Sequence, residues 1–212
     1  MLFKIESFSL GPLQTNAYLL IAENSSNAIV IDPGMNPGAL VRRIQSLNLN
    51  VEAILLTHAH FDHMGGLEEV RTLCNCPVYL HDLEAEWLTN AKLNGSANWS
   101  QVTPPITAEP AEYALDEGQQ LKLIGHTFTV YHTPGHSPGS VSFLCGKDLF
   151  AGDVLFRMGV GRTDLTGGSE RQLIDSIRTK LYRLADDVTV YPGHGPKTTI
   201  GAEKSSNPYV PA

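Results

Sequence analysis

Val51-Glu52-Ala53-Ile54-Leu55-Leu56-Thr57-His58-Ala59-His60-Phe61-Asp62-His63 is the stretch on which the fold turns. From Val51 to Thr57 it is a nearly continuous apolar run, too short for a helix and of the kind that forms a strand covered on both faces. It passes directly into three histidines and an aspartate within six residues, His58 to His63. Ordinary packing does not select such residues at the end of an apolar strand. Desolvating them together would cost on the order of several kcal/mol unless a cation neutralised the carboxylate and engaged the imidazoles. His58, His60, Asp62 and His63 are therefore expected to be metal ligands presented at a strand's C-terminal end. One short loop cannot easily complete two coordination shells, so more ligands are expected elsewhere. Three places qualify: Pro134-Gly135-His136, Ala151-Gly152-Asp153 and Pro192-Gly193-His194. Each follows a predicted strand, and each has a glycine beside the ligand that lets the backbone turn and approach a crowded centre.

Outward from this core, alternating or continuous apolar runs predict strands over Phe3–Leu10, Ala17–Ala22 and Ala28–Ile31. Asn36 followed by Pro37 predicts a helix N-cap and first turn, with Leu40, Val41, Ile44 and Leu47 at helical spacing. A helix is expected from about Gly65 to Cys74, a strand over Val78–Leu80 and a second helix from about Leu83 to Thr89. Asn90 to Pro110, rich in Pro and Asn, predicts a long loop. Strands follow at Leu121–Ile124, Thr127–His132, Val141–Leu144 and Leu149–Ala151. Ser169 with Gln172 matches a capping box before a helix whose stripe is Leu173, Ile177, Leu181 and Leu184, and Val188–Tyr191 is expected as the last strand. Strands alternating with helices in both halves predict an α/β fold of two packed sheets with helices outside, a four-layer α/β/β/α sandwich.

The 212 residues suit one domain spanning 1–212. A net charge of −7 is a poor footprint for binding phosphate backbones, so no nucleic-acid partner is expected. No apolar run is long enough to span a membrane, and the first residues alternate polar with apolar rather than forming a secretory signal. The three cysteines are odd in number and Cys74 and Cys76 are too close for an easy bridge, so the cytoplasm is the expected compartment.

The HxHxDH run, His136 in TPGH, Asp153 in AGD and the late PGHG together resemble the metallo-β-lactamase superfamily, over nearly the whole chain. The resemblance implies one metal held by His58, His60 and His136, a second held by Asp62, His63 and His194, and Asp153 bridging both. Asp62 and Asp153 are thereby the implied catalytic carboxylates. The cofactors implied are two divalent ions, zinc first, with iron or manganese also compatible with nitrogen and oxygen donors. The stretch Val154 to Asp164, with Gly161-Arg162-Thr163-Asp164, resembles the glyoxalase II group. That implies hydrolysis of small-molecule 2-hydroxyacyl-glutathione-type thioesters by a hydroxide shared between the metals, with Arg162 near the substrate. Pro192 to Pro196 and Asn207-Pro208 are similar to the short bacterial subgroup, without the C-terminal helical domain of longer members. Persulfide dioxygenases carry a related GRTD-type stretch, so a mononuclear iron enzyme is the alternative. β-Lactam hydrolysis is disfavoured because the drug-hydrolysing members lack an Asp at the place of Asp153. RNA processing is disfavoured by charge. Asp32 is expected either to orient an imidazole or to serve only its Asp-Pro-Gly turn. His81, His126 and His132 are expected to be structural, and Trp87 and Trp99 to anchor the long loop.

Overall fold

A computed structural model describes residues 3–211. Strands β1 (Phe3–Leu10), β2 (Thr15–Ala22) and β3 (Asn27–Ile31) form an antiparallel meander. Helix α1 (Gly38–Ser46) crosses to β4 (Asn50–Leu55), which lies parallel to β3. Helices α2 (Phe61–Met64) and α3 (Leu67–Cys74) lead to β5 (Val78–His81), and α4 (Ala85–Thr89) and a long loop lead to β6 (Tyr113–Leu115). These six strands form one sheet in sequence order. A second sheet gathers β7 (Gln120–Leu123), β8 (His126–His132), β9 (Val141–Cys145) and β10 (Asp148–Gly152). After the hairpin of β11 (Leu155–Phe156) and β12 (Gly159–Val160) and helix α5 (Glu170–Thr179), it is completed by β13 (Thr189–Pro192) and β14 (Thr198–Thr199). Its order is β14-β13-β10-β9-β8-β7, and α6 (Ile200–Ser206) follows.

The side-chain period of two sorts the apolar residues into layers. Leu19, Val30 and Ile54 face Leu40, Ile44, Leu67 and Val70 of α1 and α3. Leu20, Ile29 and Leu55 point the other way, against Phe128, Val130, Phe143 and Phe150 of the second sheet. That sheet's outer face, through Leu149, Ala151 and Val190, meets Leu173, Ile177 and Leu181. Three apolar interlayers between four layers make the expected α/β/β/α sandwich. The apolar character of β4 on both sides is explained, since it is covered by helices on one face and by a sheet on the other.

Several local expectations are corrected. Asn36 does not cap α1: it adopts φ 54°, and the helix starts at Gly38 behind Pro37 with no side-chain cap. The helix expected from about Gly65 to Cys74 is α3, which starts at Leu67; Gly65 and Gly66 stand between α2 and α3, where a Cβ on Gly66 would lie 2.6 Å from Pro37 Cγ. The turn Asp82–Glu84 is 3-10 and α4 begins only at Ala85. Strand β13 is not the last, since β14 and α6 follow it. Ser169 does cap α5, its hydroxyl accepting from Gln172 N–H. Among the described residues no helix is long and apolar enough to cross a membrane.

Phe150 is fully buried between the sheets, its ring 5.3 Å from Tyr18 and 5.0 Å from Tyr191. Phe150→Ala is expected to lower the unfolding free energy by about 3–5 kcal/mol. The denaturation midpoint at unchanged m-value measures this, and a loss below about 1 kcal/mol would contradict the inter-sheet placement.

Candidate metal centre

Strand direction collects the predicted ligands. Strands β3 and β4 are parallel, and β8, β10 and β13 share one direction because β9 is antiparallel to both β8 and β10, and β10 is parallel to β13. Asp32 and His58–His63 follow β3 and β4, while His136, Asp153 and His194 follow β8, β10 and β13. Backbone bonds join the two sheets here: Asn16 N–H donates to Gly193 O (2.7 Å) and Val141 N–H to Thr57 O (2.8 Å).

Three clusters of potential ligand atoms result: His58 with His60 and His136, Asp62 with His63 and His194, and His58 with His63 and Asp153. His60 Nδ1 lies 2.8 Å from His136 Nε2, two ring nitrogens aimed at one point. Asp153 reaches both sides: its Oδ1 is 3.3 Å from His63 Nε2, and its Oδ2 is 3.6 Å from His136 Nε2 and 3.5 Å from His194 Nε2. Asp62 Oδ2 is 3.2 Å from His194 Nε2 and accepts from the Thr15 hydroxyl (2.8 Å). The outward nitrogens are held. His136 Nδ1 meets Arg162 O (2.8 Å), His194 Nδ1 meets Leu13 O (3.1 Å), His63 Nδ1 meets Asp32 Oδ2 (2.9 Å) and His58 Nδ1 meets the Thr57 hydroxyl (3.0 Å). A proton fixed on each outward nitrogen leaves the inward one free as a donor to a metal.

Electrostatics separate the two halves. Burial, with the surrounding imidazoles, pushes His58 far below the usual histidine range, and burial with His136 pushes His60 down to about 3. Burial also lowers His136. These rings stay neutral, the form that binds metals. Burial opposes charge on His63 and His194 too, but the carboxylates beside them outweigh it and raise both. Asp62 and Asp153, which burial would raise, are held low by those imidazoles. Of the four buried side-chain polar atoms without a hydrogen-bond partner among the described residues, three are His58 Nε2, His63 Nε2 and Asp153 Oδ1. Four carboxylates, Asp32, Asp62, Glu84 and Asp153, are buried in or behind the cluster. Orphaned inward donors, neutral imidazoles and buried carboxylates all fit divalent ions.

The metallo-beta-lactamase superfamily model matches residues 10–194, which span every residue of the cluster. The chain belongs to that superfamily. As a metallo-beta-lactamase superfamily protein it is a metal-dependent hydrolase by family. It is 39% identical to the hydroxyacylglutathione hydrolase GloC of Haemophilus influenzae over 97% of each chain. It superposes on the crystal structure of BLEG-1, a B3 metallo-beta-lactamase, with TM-score 0.94 and 45% identity, covering 99% of this chain and 100% of the other. It superposes on TTHA1623 in a di-iron-bound form with TM-score 0.84 and 41% identity over 97% and 100% of the two chains.

The superfamily cluster opens into a cleft of ≈ 440 Å³ walled by Phe61, Leu93, Trp99, Phe156, Val160 and Arg162. Arg162 is among the residues of its wall, with its guanidinium in a two-pronged pair to Asp164 (2.7 and 2.8 Å). Trp99 lines the cleft, 5.9 Å from the Phe61 ring, while Trp87 is buried and 5.5 Å from His60. Gly193 is required by approach: a Cβ there would lie 2.1 Å from Asp153 Oδ1. Gly135 answers to a different neighbour, since its Cβ would strike the Leu173 backbone of α5 rather than the cluster. Asp32 does orient an imidazole, and one carboxylate serves three donors, Thr57 N–H, Thr57 Oγ1 and His63 Nδ1. His81 and His132 stack on each other outside the cluster, and His126 packs on Phe3. Sequence reasoning missed Thr15, Thr57, Glu84 and the carbonyls of Leu13 and Arg162. A carbonyl has no sequence signal, and Glu84 lies among the equally acidic Asp82 and Glu86.

Asp32→Asn removes the charge behind His63 while keeping the size of the side chain. Metal affinity is expected to fall on the order of 10- to 100-fold, read as metal retained per chain after dialysis against graded chelator. Unchanged retention would reduce Asp32 to a turn residue.

Proposed function

We propose that the protein is a binuclear thioester hydrolase of the 2-hydroxyacyl-glutathione type. In this reading His58, His60 and His136 hold one divalent ion, Asp62, His63 and His194 a second, and Asp153 stands between them. Zinc heads the candidates, and the similarity to a di-iron-bound protein keeps iron beside it. Two such ions would supply a nucleophile at neutral pH, by lowering the pKa of water from about 15.7 toward about 7, and would polarise a carbonyl.

One observation carries the choice of a thioester. Among the residues lining the cleft, the only ionisable side chain outside the seven proposed ligands is Arg162, which has no proton to give at neutral pH. An amine leaving group needs a proton donor, whereas a thiol with a pKa of about 8.5 leaves readily as thiolate. The cleft therefore suits a leaving group that needs no acid. Phe61, Trp99 and Phe156 exclude water from the acyl chain and orient it, and Arg162 faces the thiol carrier. The similarity to GloC, named for such a substrate, supports the same class.

The similarity to BLEG-1 favours β-lactams as a second substrate class, one that sequence reasoning set aside. The missing proton donor ranks it below thioesters. The mononuclear persulfide dioxygenase reading has less support, because the Asp62, His63 and His194 cluster is complete beside the first.

The decisive assay follows thiol release from lactoylglutathione with and without oxygen, and ring opening of a chromogenic cephalosporin, on protein of measured metal content. About two metals per chain and oxygen-independent thiol release are expected, abolished by chelator and restored by divalent metal. One iron per chain, oxygen uptake with a glutathione persulfide and no thiol release would overturn the proposal. Asp153→Ala is expected to lose metal and activity together. Arg162→Ala is expected to raise KM for anionic thioesters more than for neutral ones, with equal effects returning Arg162 to an ordinary surface residue.

A further inference from the structure

Glu84 is fully buried, although its acidic neighbours Asp82 and Glu86 are exposed. Unpaired buried carboxylates are expensive, and among the described residues no Lys or Arg is hydrogen-bonded or ion-paired to this one. Its partners are three donors. Oε2 accepts from Ala59 N–H at 2.6 Å, and Oε1 accepts from Gly139 N–H at 2.7 Å and from the Ser137 hydroxyl at 2.5 Å. The Ser140 hydroxyl supports Ser137 from behind at 2.7 Å. The carboxylate also fills the place of a missing side chain, since a Cβ on Gly139 would lie 2.9 Å from Glu84 Cγ.

The position of those donors in the chain gives the carboxylate its meaning. Ala59 stands between His58 and His60 in the loop after β4 of the first sheet. Ser137 and Gly139 follow His136 in the loop between β8 and β9 of the second. One side chain thus ties together the two loops that carry His58, His60 and His136; the first of them also carries Asp62 and His63, and among the described residues Glu84 makes no hydrogen bond to the loop of His194. Trp87, on α4 directly after the turn that holds Glu84, packs 5.5 Å from His60 and closes the back of the same half.

We propose that Glu84 is a positioning residue for one half of the centre: its carboxylate clamps the two ligand loops so that His58, His60 and His136 converge. This rests on the reading that those three residues hold a metal. Replacing Glu84 by Gln keeps the shape but turns one oxygen into a donor. Either orientation then leaves Ala59 N–H or Gly139 N–H without its acceptor.

The test uses the full chain as wild type, Glu84→Gln, Glu84→Ala and the exposed control Glu86→Gln. Metal per chain is measured across graded chelator, with the visible spectrum of cobalt-loaded protein and far-UV circular dichroism alongside. Glu84→Gln is expected to release one metal at on the order of 10- to 100-fold lower chelator than wild type, keep the other, change the cobalt spectrum and retain its fold. Glu86→Gln is expected to match wild type. Two metals held by Glu84→Gln at wild-type chelator concentrations would overturn the proposal alone. So would loss of both metals in step with unfolding, which would make Glu84 a residue of the fold. If Glu84→Ala does not fold, the shape-preserving Gln variant decides. A wild-type chain that binds no metal would overturn both this proposal and the metal reading beneath it.

Discussion

Imidazoles and carboxylates buried side by side are the constraint on which the rest of the molecule depends. Left alone, neutral rings and ionised carboxylates packed this closely favour unfolding, because each loses its water without a full partner. The outward ring nitrogens of His58, His63, His136 and His194 are each satisfied by protein atoms. The inward atoms of His58, His63 and Asp153 are not. The unmet demand is therefore directed inward, to the point where cations would stand.

The sandwich exists to supply that geometry. Neither sheet alone holds the whole cluster: the first contributes His58, His60, Asp62 and His63, the second His136, Asp153 and His194. Both must end at the same edge and stay in register there. The apolar layer between them, centred on Phe128, Phe143 and Phe150, fixes their separation. Polar ties at the edge do the fine adjustment, through Asp32 under His63, Glu84 between the loops of His60 and His136, and Asn16 N–H on Gly193 O. The layer supplies most of the stability and the ties supply position, so changes in each should be separable by experiment.

Arg162 shows how one residue can serve through two different atoms. The residue lines the cleft, its guanidinium pairs with Asp164, and its carbonyl, invisible to any motif, holds His136. Close contact with Gly161 reinforces this, since a Cβ there would lie 3.2 Å from His136 Nδ1 and overlap the Asp153 carbonyl. The segment from Asp153 to Asp164 is thus part of the centre's frame as well as a wall of the cleft.

The sequence by itself determined the layered α/β/β/α architecture and the seven residues of the cluster. Its information there is dense: period-two apolar runs specify buried strands, and imidazoles beside carboxylates at strand ends have few other physical explanations. It misjudged Asn36, which adopts φ 54° instead of capping, and set the start of α3 slightly early, because the turn at Gly65 and Gly66 depends on what packs against them, Met35 and Pro37. Tertiary structure alone decided which donors finish the site. Thr15, Glu84 and the carbonyls of Leu13 and Arg162 are ordinary residues in sequence, and each acquires its part from a neighbour 25 or more positions away. Hydrogen bonds over such separations are set by how two sheets pack, and no local pattern encodes that.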